Sequence, residues 1–140
     1  MRKICDKSIL LSNRKKIIVF TLILILLTLL LGFTIYVIHE DISWPKTPED
    51  AGYDSEWIIG KTISEIQARY GEFLTPLIDD QGRVWRTTGV YCVKYVDPNW
   101  IYFLKPERYR HGDTYFYVVF NSDFVATKVF LKEERPKEWM

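Results

Sequence analysis

Residues 17 to 38 carry no charged side chain, and 18 of these 22 positions are apolar. A helix of that length, at about 1.5 Å rise per residue, spans roughly the 30 Å hydrocarbon core of a bilayer. The stretch therefore reads as a transmembrane helix. It divides the 140-residue chain into a 16-residue head and a 102-residue tail, and only the tail is long enough to close a core.

Charge sets the expected direction of the span. The head bears Arg2, Lys3, Lys7, Arg14, Lys15 and Lys16 against Asp6, a net +5, whereas the tail nets −4. The chain just past the span holds Glu40, Asp41, Glu49, Asp50, Asp54 and Glu56 with Lys46 as its sole lysine or arginine. The positive-inside rule then places the head in the cytoplasm and the tail outside it, as a single-pass cell-membrane protein. Tyr36 and Trp44 are expected at the outer interface. The apolar run exceeds a signal-peptide core and ends without a small-residue cleavage site, so an uncleaved anchor is expected. Gly32 stands alone, without a G-x-x-x-G face, and the span has no ionisable group to mark a transport path. It reads as a tether.

This topology puts Cys5 and Cys92 on opposite sides of the membrane and excludes a disulfide between them. Cys5 reads as a free thiol, with acylation as the alternative, and Cys92 as a packed strand residue. With only His39 and His111 there is no zinc-type spacing. No metal or cofactor is expected.

Residues 39 to 52 read as a linker, stiffened by Pro45 and Pro48, and the folded part as 53 to 140. Thr62 followed by Glu65 is a capping box. Ile63, Ile66 and Tyr70 then recur at helical spacing, and Gly71 can stop the helix in a left-handed conformation. Asp54 to Ile59 reads as a preceding helical turn. Beyond the Asp79-Asp80-Gln81-Gly82 turn the residues become aromatic and β-branched, giving strands near 90 to 96, 114 to 121 and 124 to 132, with a short extension at Val84 to Arg86. The last two strands are joined by an Asn121-Ser-Asp-Phe124 turn. The excursion from Asp97 to Asp113 is too long for a hairpin. The fold class is α+β: a transmembrane helix followed by a two-layer domain of one or two short helices on a three-stranded antiparallel sheet.

Ile59-Gly60-Lys61-Thr62 through Glu65-Ile66, then Tyr70-Gly71 and a closing hairpin rich in valine and aromatics, resemble the SmpA/OmlA family. These are small outer-membrane lipoproteins of the barrel-assembly machinery, related in fold to β-lactamase-inhibitor-like domains. Trp57 to Thr62 and Tyr70 to Phe73 are also similar to the corresponding stretches of small membrane-anchored proteins. The resemblance implies a domain that presents its sheet and loops to a protein partner, without catalysis or cofactor.

The residues themselves offer little for an enzyme. His111 near Asp113 has the form of a base with its carboxylate, but no serine or cysteine adjoins them. Asp79 to Gly82 lacks the alternating ligands of a calcium loop, and Gly60-Lys61 lacks the glycine-rich lead of a phosphate loop. A tail at −4 argues against nucleic acid.

Aromatic content is the outstanding feature, with 19 aromatic residues in the 102-residue tail. Alternation along Thr114 to Phe120 sends Phe116, Val118 and Phe120 to one face and Tyr115, Tyr117 and Val119 to the other. The Tyr-bearing face is either a partner surface or is covered by the linker, loop or tail of the same chain. Trp100, Ile101, Tyr102, Phe103 and Leu104, bracketed by prolines, are expected to extend that face, with Trp100 and Tyr102 as anchors. The expected partner-binding set is Trp100, Tyr102, Phe103, Tyr115 and Tyr117. The expected function is non-enzymatic binding of an envelope protein; the alternatives are a cell-wall glycan or small ligand held by aromatic residues, or an unrecognised enzyme.

Overall fold

The computed structural model describes residues 2 to 135, with side chains from Lys7 onward, so the Cys5 thiol and residues 136 to 140 lie outside the described set. The chain divides into two compact units at Ser43/Trp44.

The first unit is one helix, α1 (Arg2–Ser43), which contains a stretch long and apolar enough to cross a membrane. Its large apolar residues from Ile17 to Leu31 are each at least half exposed, and they point in every direction around the axis. A helix apolar all round is stable in hydrocarbon and poorly soluble in water. Its hydroxyls fit the same solvent: Thr21, Thr28 and Thr34 each donate to the carbonyl four residues back, at 2.8 to 2.9 Å, so none needs water. The helix runs five residues past Ile38, into the stretch expected as linker.

The second unit is α+β, as the sequence suggests. Its elements are α2 (Ser55–Ile58), α3 (Ile63–Tyr70), β1 (Thr88–Lys94), α4 (Trp100–Leu104), a 3-10 turn at Glu107–Tyr109, β2 (Asp113–Phe120) and β3 (Ala126–Glu134). The strands form an antiparallel sheet in the order β1-β2-β3. Asp54 caps α2 by accepting from the Trp57 amide. The capping box on α3 is present in both directions, with the Thr62 amide donating to Glu65 Oε2 at 2.8 Å and the Glu65 amide to Thr62 Oγ1 at 3.4 Å. Gly71 ends the helix at φ +89°.

The helices meet the sheet through one layer of side chains. Ile58, Ile63 and Ile66 pack with Phe73, Leu77, Tyr91, Phe116, Val118, Phe120 and Ala126. Gly60, at φ +86°, lets the α2–α3 connection turn onto the start of β3, where its amide donates to the Ala126 carbonyl and the Ala126 amide donates to Lys61. The Gly-Lys-Thr motif is thus a junction between helix and sheet. Val84 pairs with Ile78 in an isolated bridge, so the short extension expected at Val84 to Arg86 forms apart from the main sheet.

The segment from Trp44 to Gly52 is folded into this unit. Trp44 is 4% exposed and its indole N–H donates to Thr114 Oγ1 at 2.9 Å. The 47–52 turn is closed by Asp50, whose carboxylate accepts from the Lys46 and Thr47 amides. Tyr53 then stacks on Phe116 at 4.1 Å. Trp44, expected at the outer interface, is buried within this unit, where its long ring reaches both a hydroxyl and an aromatic partner.

Candidate functional site

β2 alternates strictly between half-buried and buried positions from Asp113 to Phe120. Phe116, Val118 and Phe120 point to the helices; Tyr115, Tyr117 and Val119 point away. Register extends the outer face across the sheet. Val90, Tyr117 and Phe130 form the middle row, Cys92, Tyr115 and Lys132 the row on one side, and Thr88, Val119 and Lys128 the row on the other.

The middle row is the apolar centre. Tyr117 and Phe130 stack at 5.1 Å and 8°, Tyr115 meets Tyr117 edge-on at 6.5 Å, and Tyr95 meets Tyr115 edge-on at 6.3 Å. Charged groups surround it. The Tyr117 hydroxyl donates to Glu134 Oε1 at 3.0 Å, which also receives Lys132 Nζ at 2.9 Å, and Lys128 Nζ lies 5.4 Å from the Phe130 ring centre. The Lys132 contact, then the Tyr117 hydroxyl, hold the Glu134 carboxyl below its ordinary value. Burial, then the bond to Glu134, push the Tyr117 hydroxyl up, so it stays a neutral donor. Trp44 contacts Thr114 on the helix side of the sheet, so this part of the stretch expected as linker does not cover the outer face, whose central residues are half-buried.

The five expected binding residues separate. Tyr115 and Tyr117 lie together on the sheet. The run from Trp100 to Leu104, expected as loop, is α4, capped by Asn99. Trp100 is 71% exposed and Phe103 50%, but Tyr102 is 4% exposed and donates its hydroxyl to the His111 carbonyl. Tyr102 is therefore the root that fixes α4 to the unit, and not a surface anchor. Phe130 and Glu134 are the members that the sequence reading missed. Alternation along the third strand gives the parity of Phe130, but only register puts it beside Tyr117.

An open cleft of about 290 Å³ is bordered by Trp44, Lys46, His111, Thr114, Leu131 and Glu133. His111 Nδ1 lies 3.2 Å from Glu133 Oε2, while Asp113, its partner on sequence spacing, accepts instead from the Val96 amide at 2.8 Å. Trp44 covers the imidazole face at 4.4 Å and 5°. Thr114, the hydroxyl in the cleft, is held between Trp44 and the Gly112 carbonyl. Among the described residues there is no cluster of three metal-ligating side chains.

Helix, sheet and face together define a small α+β unit carried behind an apolar helix of membrane-spanning length. No protein-family model, curated protein or solved structure matches the chain.

Proposed function

We propose that the chain is a non-enzymatic, single-pass membrane protein whose C-terminal unit stands outside the cytoplasm and binds another protein of the envelope through the outer face of its sheet. The observation that carries this reading is the middle row of Val90, Tyr117 and Phe130, ringed by Lys128, Lys132 and Glu134. An aromatic centre with a charged rim is how protein interfaces are built, and Tyr is among the residues that dominate their energetics. The +5 head and acidic outer flank support the orientation. The resemblance to SmpA/OmlA domains supports a sheet that works by presentation.

The test is a photo-crosslinking amino acid placed at Val119, on this face, and at Glu56, on α2, in intact cells. Crosslinks to one envelope protein from position 119 alone are expected. Tyr117→Ala and Phe130→Ala should abolish them while the unit still folds. Equal capture from both positions rejects the face, and retention of the purified chain on isolated cell wall, without protein crosslinks, replaces this reading with glycan binding.

A further inference from the structure

Backbone hydrogen bonds point alternately to the two sides of a strand, so register fixes which groups the sheet uses and which it leaves. The Phe120 amide donates to the Thr87 carbonyl on the β1 side, and the Val90 carbonyl, on the far side of β1, accepts from Leu74. That parity turns Asp113, Tyr115, Tyr117 and Val119 of β2 toward β3, where they pair with Glu134, Lys132, Phe130 and Lys128. The residues between, Val129, Leu131 and Glu133, therefore send their N–H and C=O groups to the outer edge of β3. This edge is covered at its start, because Ala126 donates to Lys61 and accepts from Gly60. From Val129 to Glu133 no described backbone group bonds to it.

Such an edge is a template for a further strand, and charged side chains along it usually serve to keep strands away. Here the charges have an order that one particular strand satisfies. Lys128, Phe130, Lys132 and Glu134 lie on the outer face with Tyr117, and Val129, Leu131 and Glu133 on the helix face. The inward charge of Glu133 is already engaged, since its carboxylate accepts from the Gly112 amide and meets His111 Nδ1. Val129 and Leu131 beside it are apolar and half-buried. When a second β3 is laid antiparallel with Leu131 opposite Leu131, Val129 of each copy meets Glu133 of the other, and all three outward residues exchange bonds. On the outer face the same register sets Lys128 against Glu134 and Phe130 against Lys132. Sliding by two residues sets Lys128 against Lys132 in one direction and Lys132 against Lys132 in the other. Sliding by four runs into the Gly60–Lys61 junction or sets Glu133 against Glu133. Opposite charges stabilise a cross-strand pair and like charges oppose it, so the Leu131-centred register is the one that charge permits.

We infer that the C-terminal unit pairs with a second copy of itself through the outer edge of β3, antiparallel and centred on Leu131. The contact is isologous, with a two-fold axis through the Leu131 pair, so it closes at two copies and does not propagate. Antiparallel pairing keeps residues that face each other on one side of the sheet. The two three-stranded sheets then run on as one, with both helix layers on one side and both Tyr117–Phe130 pairs on the other. The inference concerns the edge of the sheet and not the face proposed for the envelope partner. Its failure leaves that face standing, because the face is tested by crosslinks from position 119.

The test is a charge swap in the full chain, read by sedimentation equilibrium in density-matched detergent. Lys128→Glu alone sets Glu against Glu134, and Glu134→Lys alone sets Lys against Lys128, so each should weaken self-association about tenfold or more. An equimolar mixture of the two restores opposite charges at both positions and should return to the wild-type association. A second arm fixes the register without charge. In chains carrying Cys5→Ser and Cys92→Ser, Lys128→Cys mixed with Glu134→Cys should oxidise to a disulfide-linked dimer, since these positions form a close cross-strand pair. Lys128→Cys alone should not, because its two copies stand roughly 20 Å apart along the strands. A wild-type chain that sediments as a monomer overturns the inference, as does a dimer indifferent to both reversals or a mixture no tighter than its components. A disulfide formed as readily by Lys128→Cys alone also overturns it. A photo-crosslinker at Leu131 that captures a different protein in cells, and no second copy, gives the edge to a foreign strand and overturns it too.

Discussion

Gly89→Ala gives the sharpest test of how this core is assembled. Gly89 pairs with Val118 in the sheet, and a Cβ there would lie 2.4, 2.6 and 2.7 Å from three carbons of the Phe73 ring. Carbon atoms prefer about 3.5–4.0 Å, so the ring must retreat by on the order of 1 Å. Its surroundings oppose that. Tyr91 lies 4.6 Å away, Phe120 lies 6.1 Å away, and the next residue is pinned by the Leu74 amide donating to Val90 at 2.7 Å. Overpacking of this kind costs about 1–3 kcal/mol. Removing a glycine from a strand offsets about 0.5–1 kcal/mol of it. The net loss is about 1–2 kcal/mol, and each kcal/mol lowers Tm by about 4–8 °C in a domain of this size.

Thermal unfolding of the full chain in detergent, followed by near-ultraviolet circular dichroism, reads this directly. Phe73→Ala should itself cost about 3–5 kcal/mol. In that background Gly89→Ala should become neutral or stabilising, since the methyl group enters vacated space. A cycle coupling of about 1–3 kcal/mol is therefore expected. If Gly89→Ala is silent in the native background, or costs the same in both within about 0.5 kcal/mol, the contact between Phe73 and Gly89 does not organise this core.

Thr62→Ala should lower stability by about 1 kcal/mol through loss of the N-cap acceptor, read from the denaturant midpoint. The same box has a pH signature. The Thr62 amide, the largest cause, holds the Glu65 carboxyl below its ordinary value of 4.5, so its stabilisation is present above that value and lost as pH falls through the lower folded-state pKa; Glu65→Gln should flatten this part of the acid unfolding curve. Tyr102→Phe should cost about 0.5–1.5 kcal/mol by leaving the His111 carbonyl without its donor, whereas Trp100→Ala should stay within about 0.5 kcal/mol of wild type in the same melt. For topology, Ser122→Cys in a chain lacking Cys5 and Cys92 should react with an impermeant maleimide on intact cells; labelling only after lysis would reverse the orientation.

What sequence reasoning recovered is what the chain encodes within a few residues. The apolar stretch announces α1, because 22 consecutive uncharged positions, 18 of them apolar, have the length and composition of a helix able to cross a membrane. Thr62 and Glu65 announce the start of α3, because a capping box is closed by groups three residues apart. Strict alternation along β2 separates Tyr115 and Tyr117 from Phe116 and Val118, because the side-chain period of a strand is two. The fold class followed from these local signals and their order.

The tertiary structure decided whatever depends on groups far apart in sequence. Trp44 sits in a stretch with linker composition and becomes core only because Thr114 offers it an acceptor and His111 a ring to stack on. Tyr102 lies in a run of five apolar residues that look alike in sequence, and the His111 carbonyl selects which one turns inward. His111 pairs with Glu133 and not Asp113 because β2–β3 register brings position 133 opposite 114, while Asp113 turns to the Val96 amide. Phe130 joins Tyr117 for the same reason. Each outcome depends on which distant segment arrives with a free donor, acceptor or ring face; periodicity and capping say which way a residue points, and only register and loop closure say what it meets.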